Sequence, residues 1–265
     1  MKQISTAPII PIRTDMFVID GTAKLRKDGQ RKRSGGKQSD GSKLVYPIKE
    51  SENVKAFIEY FYKKTQEDTN DNTVFINTRN YLMIILGMNT AFRVSDLIKL
   101  QWIDVFNEEG QFQEGRRVRE KKTRKYREVF LNQVVKDAFE LYLASDAVKR
   151  VLKHKTNHVE PLLTDYVFIG GGKNPHIDDD TIRKMIKKAA KEVGICYNVG
   201  THTMRKTFVY HTIMNNREDA TILYMLMRML NHSSPDITLS YATITHDEMY
   251  GIYNDIGHIY SRMLQ

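Results

Sequence analysis

The chain has 265 residues, 41% of them hydrophobic and 10% aromatic, enough to bury one generous core or two modest ones. No apolar run approaches the roughly 18 residues of a membrane span, and the N-terminus Met1-Lys2-Gln3-Ile4-Ser5 lacks a signal peptide's apolar stretch, so the reading is a soluble, intracellular, cytoplasmic protein. The net charge of +9 is unevenly placed: residues 21–44 carry +6 and residues 116–127 carry +7, more together than the whole chain, so a mildly acidic body bears two cationic segments suited to a polyanion. The single cysteine, Cys196, excludes an intrachain disulfide, fits a reducing compartment, and is expected to be a buried small hydrophobe.

In chain order, Ile9-Ile10-Pro11-Ile12 and Phe17-Val18-Ile19 are short apolar runs, readable as strands or as an extended arm. Residues 21–44, rich in Gly, Ser, Lys and Arg and including Arg31, Lys32 and Arg33, predict a flexible basic arm that orders on DNA. From Ile48 the pattern becomes helical. Val54, Phe57, Ile58 and Phe61 recur at helical spacing, as do Tyr81, Leu82, Ile84, Ile85 and Met88, predicting two core helices. Gly87 and Asn89-Thr90 predict a break, with a new helix near Arg93 that turns Leu97, Ile98 and Leu100 inward. Asp96, three residues after Arg93, is spaced to hold that guanidinium, although surface Arg-Asp pairs of this kind are common.

Trp102 reads as a core anchor. Between Asn107 and Asn132 the helical period is lost, and Arg117-Val118-Arg119 with Tyr126 to Leu131 predict two antiparallel strands joined around Lys121-Lys122-Thr123-Arg124-Lys125. Such a cationic tip suits phosphate contact, or it merely blunts an edge strand. Residues 134–153 predict one helix, followed by a polar loop to Pro161. His154 and His158 have metal-like spacing, but with no carboxylate or thiolate beside them and with Lys153 and Lys155 adjacent, no metal site is assigned. Tyr166 to Ile169 predicts a short strand, Gly170-Gly171-Gly172-Lys173 a turn, and Asp178 to Asp180 the cap of an amphipathic helix through Ile182, Met185, Ile186, Ala189 and Val193 that stops at Gly194.

The densest chemistry lies between His202 and Tyr241. His202 and Arg205 stand three apart at a predicted helix start and so share a face. Leu230-Asn231-His232-Ser233-Ser234-Pro235 reads as a helix stop, with Asn231 in the left-handed position, and a new start at Ser234-Pro235. Tyr241 follows on or just after that short helix, delivering a phenol to a cationic site.

Taken in order, Ala91-Phe92-Arg93-Val94-Ser95-Asp96-Leu97, Lys122-Thr123 on a hairpin, His202-Thr203-Met204-Arg205, Leu230-Asn231-His232-Ser233-Ser234 and Tyr241 resemble the tyrosine recombinase family of phage integrases and Xer-type resolvases. The resemblance spans residues 48 to about 260. It implies an α+β, mainly helical catalytic domain (48–265) with a small antiparallel sheet, preceded by an N-terminal extension (1–47) that carries the basic arm. It also implies strand exchange on double-stranded DNA, without metal or nucleotide cofactor, by a homo-oligomer reaching a synaptic tetramer.

Carried across, Tyr241 is the nucleophile, Arg93 and Arg205 clamp the phosphate, His232 donates a hydrogen bond and His202 is the general base. Lys122 is the general acid, with Lys121 and Lys125 as open alternatives. Asp96 supports Arg93, while Lys121, Arg124, Lys125, Lys206 and the arm residues are expected to contact DNA. Asn231 and Lys206 depart from the family's usual Gly and His, and too few residues precede residue 48 for the family's helical core-binding domain. DNA relaxation in the manner of a type IB topoisomerase, and non-catalytic DNA binding, are the alternative readings.

Overall fold

The computed structural model describes residues 44–67, 69–119, 126–158, 161–171, 174–219, 221–244 and 262, with only the backbone at 116–119, 126 and 127. The basic arm with Arg31, Lys32 and Arg33, the apolar runs before it, the hairpin tip with Lys121, Lys122, Arg124 and Lys125, and Gly172-Lys173 lie outside the described residues.

The described chain is mainly helical. Helix α1 (Ser51–Thr65) forms along the expected stripe, and Val54, Phe57, Ile58 and Phe61 are its buried residues. Helix α2 (Asp71–Thr90) starts at Asn70, whose side chain accepts the Thr73 N–H at 3.0 Å. It is buried continuously from Tyr81 to Met88 and is the central helix of the fold. The break expected over Gly87 and Asn89-Thr90 comes at Thr90 and not at Gly87, because Gly87 serves a tertiary contact. A Cβ there would stand 2.5 Å from Met204 Sδ, so the missing side chain lets a later helix approach. The helix ends instead at Ala91, a left-handed residue with φ of 51°.

A single turn, α3 (Val94–Leu97), follows, and Leu97, Ile98 and Leu100 are buried as expected. Trp102 stacks on Tyr142 at 6.2 Å and meets Phe139 edge-on, so it does anchor the core. Strands β1 (Gly115–Arg119) and β2 (Tyr126–Phe130) pair antiparallel, with Gly115 opposite Phe130 and Val118 opposite Arg127. The single helix expected over 134–153 is two, α4 (Gln133–Ala144) and α5 (Asp146–Thr156). Ser145 separates them in an extended conformation while its hydroxyl accepts from Val148 N–H. His154 therefore lies in the last turn of α5, not in a loop. The strand expected at Tyr166 to Ile169 is only a bridge from Tyr166 to Gln101, continued by Val167 N–H donating to Leu100 O. Cys196 is exposed, not buried, because it sits in the loop beyond α6 (Asp179–Glu192).

Helices α7 (Thr201–Asn215), α8 (Ile222–Leu230) and α9 (Pro235–Ala242) complete the described chain. They enclose a smaller apolar cluster of Ala91, Val209, Tyr210, Leu226, Leu230 and Ala242, beside the main core to which Met204 belongs. Across α7 lies an extended strap, residues 44–49, that no hydrophobic period announces. Tyr46 N–H donates to Asn198 O, the Thr203 hydroxyl to Tyr46 O, Ile48 N–H to Thr207 Oγ1 at 2.9 Å, and His211 Nε2 to Ile48 O at 2.9 Å. With Ile48 and Thr207 both buried, replacing the hydroxyl leaves an N–H without water or partner. Thr207→Val should therefore destabilise the fold by about 1–3 kcal/mol despite its matched volume. Urea unfolding checks this, and an unchanged midpoint would show that the strap does not depend on the bond.

Candidate active site

The site is assembled from helix ends. The first turn of α7 is pinned because Thr203 Oγ1 accepts the Gly200 N–H at 3.0 Å while donating to the strap. That turn leaves His202 on the open side and carries Arg205 inward, where the side chain is only 2% exposed. Arg205 Nη1 donates to Ala91 O at 2.7 Å and Nη2 to Leu230 O at 3.1 Å. Both acceptors are carbonyls at helix C-termini, of α2 and α8, where backbone oxygens lack intrahelical partners and the helix dipole is negative. Arg93, at the N-cap of α3, sends Nη2 to the same Leu230 carbonyl at 3.3 Å. Asp96 N–H closes the α3 turn onto Arg93 O at 2.9 Å.

Asn231 ends α8 with φ of 58°, as its residue type predicts, and His232 N–H returns to Met227 O. Ser234 then caps α9 by accepting Ile237 N–H, with Pro235 in the first turn. At this corner His232 Nδ1 lies 3.0 Å from the hydroxyl of Thr238, a fully buried residue, which fixes the imidazole. Tyr241 occupies the last turn of α9. Its hydroxyl is 3.3 Å from His202 Nδ1, its ring is 5.2 Å from the His232 ring, and Lys206 Nζ stands 5.0 Å from its centroid. The helix ends at left-handed Thr243, whose carbonyl accepts from Lys49 Nζ at 2.9 Å.

Electrostatics in this pocket favour anions. Burial raises the Tyr241 pKa above its ordinary value, while Arg205 and Arg93 oppose that rise. His202 is held below the ordinary histidine value by burial and by Arg205 and Lys206. His232 is lowered by burial and by both arginines. Burial alone lowers Lys206, to about 8. Both imidazoles are therefore biased toward the neutral form. Among the described residues, no group of three His, Cys or carboxylate side chains is arranged to hold a metal ion.

Of the residues expected in the site, Arg93, His202, Arg205, His232 and Tyr241 are brought together. Lys206, expected on a DNA-contacting surface, is 4% exposed and packed against the Tyr241 ring, because the residue after Arg205 on α7 still faces the interior. Sequence reasoning missed Thr238, Lys49 and the carbonyls of Ala91 and Leu230. Thr238 could have been found as the residue one helical turn before Tyr241, but carbonyl anchors have no signature in residue type.

The profile of the phage integrase family matches residues 50–248. The probable integrase/recombinase YoeC of Bacillus subtilis (strain 168) is 29% identical over 214 residues, covering 81% of this chain and 98% of YoeC. Tyrosine recombinase XerC of Thermodesulfovibrio yellowstonii is 27% identical across 68% of this chain and 55% of XerC. The site-specific recombinase XerH, solved with a palindromic difH substrate as a post-cleavage complex, shares the fold with a TM-score of 0.57 at 20% identity, over 83% of this chain and 56% of XerH. The chain thus spans about half the length of XerC and XerH. No described helix is long and apolar enough to cross a membrane. With the family profile covering α1 to α9 and all five clustered side chains, the chain belongs to the phage integrase family of tyrosine recombinases, enzymes that break and rejoin DNA.

Proposed function

We propose that this chain cleaves and rejoins double-stranded DNA at specific sites through a 3′-phosphotyrosyl intermediate on Tyr241. The observation that carries the reading is the Tyr241 hydroxyl 3.3 Å from His202 Nδ1, inside a pocket whose guanidiniums are already fixed by backbone carbonyls.

In the proposed step the phenol gives its proton to Nδ1 of neutral His202 as its oxygen bonds to phosphorus. The bond from phosphorus to the 5′ oxygen breaks, and that oxygen takes a proton from Lys122 on the hairpin, with Lys121 or Lys125 as alternative donors. Charge building on the nonbridging oxygens meets Arg93, Arg205 and His232, which need little reorganisation because their positions are fixed beforehand. Asp96 supports Arg93 from the α3 turn. Attack by a free 5′ hydroxyl reverses the step, the ester having conserved the bond energy. Arg124, the neighbouring hairpin lysines and the arm residues Arg31, Lys32 and Arg33 supply phosphate contacts to the duplex. Residues 48–265 act as the catalytic domain, residues 1–47 as an extension carrying the arm (21–44), and a homo-oligomer, a tetramer at synapsis, brings two duplexes together. Two cationic segments in the sequence, the clustered site residues and membership of the family support this reading.

Three outcomes test it. Incubated with a library of nicked duplexes of randomised core sequence, the wild-type chain should form a covalent adduct stable on a denaturing gel. Tyr241→Phe should bind the selected DNA equally and form none, and an undiminished adduct would remove Tyr241 from the mechanism. Arg93→Lys and Arg205→Lys should each slow adduct formation by about two powers of ten, since an ammonium keeps the charge but loses the planar fork; cleavage within a few-fold of wild type would make that arginine structural. His202, with its pKa below the ordinary 6.5, is already deprotonated at neutrality. The single-turnover rate should therefore rise with pH only below about 6.5 and stay level through neutral pH. A rate still climbing above pH 7 would point to a different base.

A further inference from the structure

Lys206 is a buried cation that the proposed mechanism does not use. Its side chain is 4% exposed on α7, directly after Arg205, and burial alone moves its pKa, so no carboxylate among the described residues offsets its charge. Arg205 next to it is compensated by two helix-end carbonyls. Lys206 instead points its ammonium at an aromatic face, with Nζ 5.0 Å from the Tyr241 centroid. The Arg205 guanidinium lies 6.0 Å from the same ring. Methionine would fill the same volume without a buried charge, so a lysine here costs stability unless the ring contact has a use.

The ring lies edge-on to His202 and His232 and beside two cations. Tyr241 sits in the last turn of α9, and its hydroxyl bond to His202 is long at 3.3 Å. An ammonium over the negative face of an aromatic ring restrains the ring's orientation, and a cation beside the phenol also stabilises negative charge that grows on its oxygen. The other charged or titratable groups around the ring are His202 and Arg205 on α7, Arg93 before α3 and His232 at the α8–α9 corner, with Asp179 of α6 acting on His202.

We propose that Lys206 is a positioning residue for the nucleophile, holding the Tyr241 ring beside His202 and placing a cation next to the charge that develops on the phenol oxygen during attack. This rests on the reading of Tyr241 as nucleophile.

The test combines three measurements on Lys206→Met and Lys206→Arg in the full chain. Thermal unfolding of Lys206→Met should be unchanged or shifted upward, because a buried charge is gone. Its covalent adduct with the selected nicked duplex should nevertheless form about tenfold more slowly at neutral pH, with DNA affinity within about twofold of wild type, and Lys206→Arg should recover most of the rate. Without DNA, the 13C signal of the Tyr241 ring, assigned by its loss in Tyr241→Phe among the fourteen tyrosines, should show an inflection near pH 8 in wild type that disappears in Lys206→Met. Lys206→Met cleaving within twofold of wild type would overturn the proposal, as would an unaltered Tyr241 titration. If the wild-type chain forms no adduct, the nucleophile reading itself fails and the cleavage role of Lys206 with it, while the DNA-free titration still shows whether the two side chains are coupled.

Discussion

Two guanidiniums converge on the carbonyl of Leu230, and the site is built outward from that contact. Burying even one arginine away from water costs several kcal/mol unless its donors find acceptors, and the nearest acceptors are the backbone oxygens left unpaired where α2 and α8 end. Those ends are dictated locally: Ala91 and Asn231 both leave the helix through the left-handed region, turning their neighbourhoods toward Arg205. Carbonyls are weaker partners than carboxylates. They hold the guanidiniums in position without adding negative charge of their own.

The arginines act beside burial on both histidines and on the phenol. Both histidines are pushed toward the neutral form and the phenol is pulled in opposite directions, upward by burial and downward by the arginines. A tyrosine that stays protonated at rest, next to an imidazole that stays neutral, is protected from idle reaction yet has an acceptor for its proton within reach. In the proposed reaction the charge of a phosphodiester would shift this balance. In the proposed reaction the protein's fixed dipoles and cations thus stand in for the work that metal ions perform in other phosphoryl-transfer sites.

The strap over α7 ties this arrangement to the start of the described chain. Its backbone bonds to Thr203 and Thr207 fix the helix that carries His202, Arg205 and Lys206. Lys49, at its end, reaches the carbonyl of Thr243 just past Tyr241. One extended segment therefore touches both the helix that carries the proposed base and the helix that carries the proposed nucleophile.

Residue type and spacing alone determined much of this protein. The helical stripes of α1 and α2 read out their buried faces, Asn231 announced its left-handed corner, Ser234-Pro235 announced the start of α9, and the ordered set from Arg93 to Tyr241 identified the chemistry. These were legible because each depends on interactions within a few residues or on a reactive side chain. Other features were decided only by tertiary contact. Gly87 looked like a helix break and became a point of close approach for Met204, since a glycine's local preference is weaker than the packing between α2 and α7. Ser145 split a continuous apolar pattern because its hydroxyl capped a new helix. Lys206, whose charge suggested a surface, went inside because the helix that buries Arg205 carries its neighbour with it, and the Tyr241 ring was there to receive the cation. Both arginines take backbone oxygens among their partners, and every residue has one; which oxygen lies within reach is settled only when helices distant in sequence end at the same place.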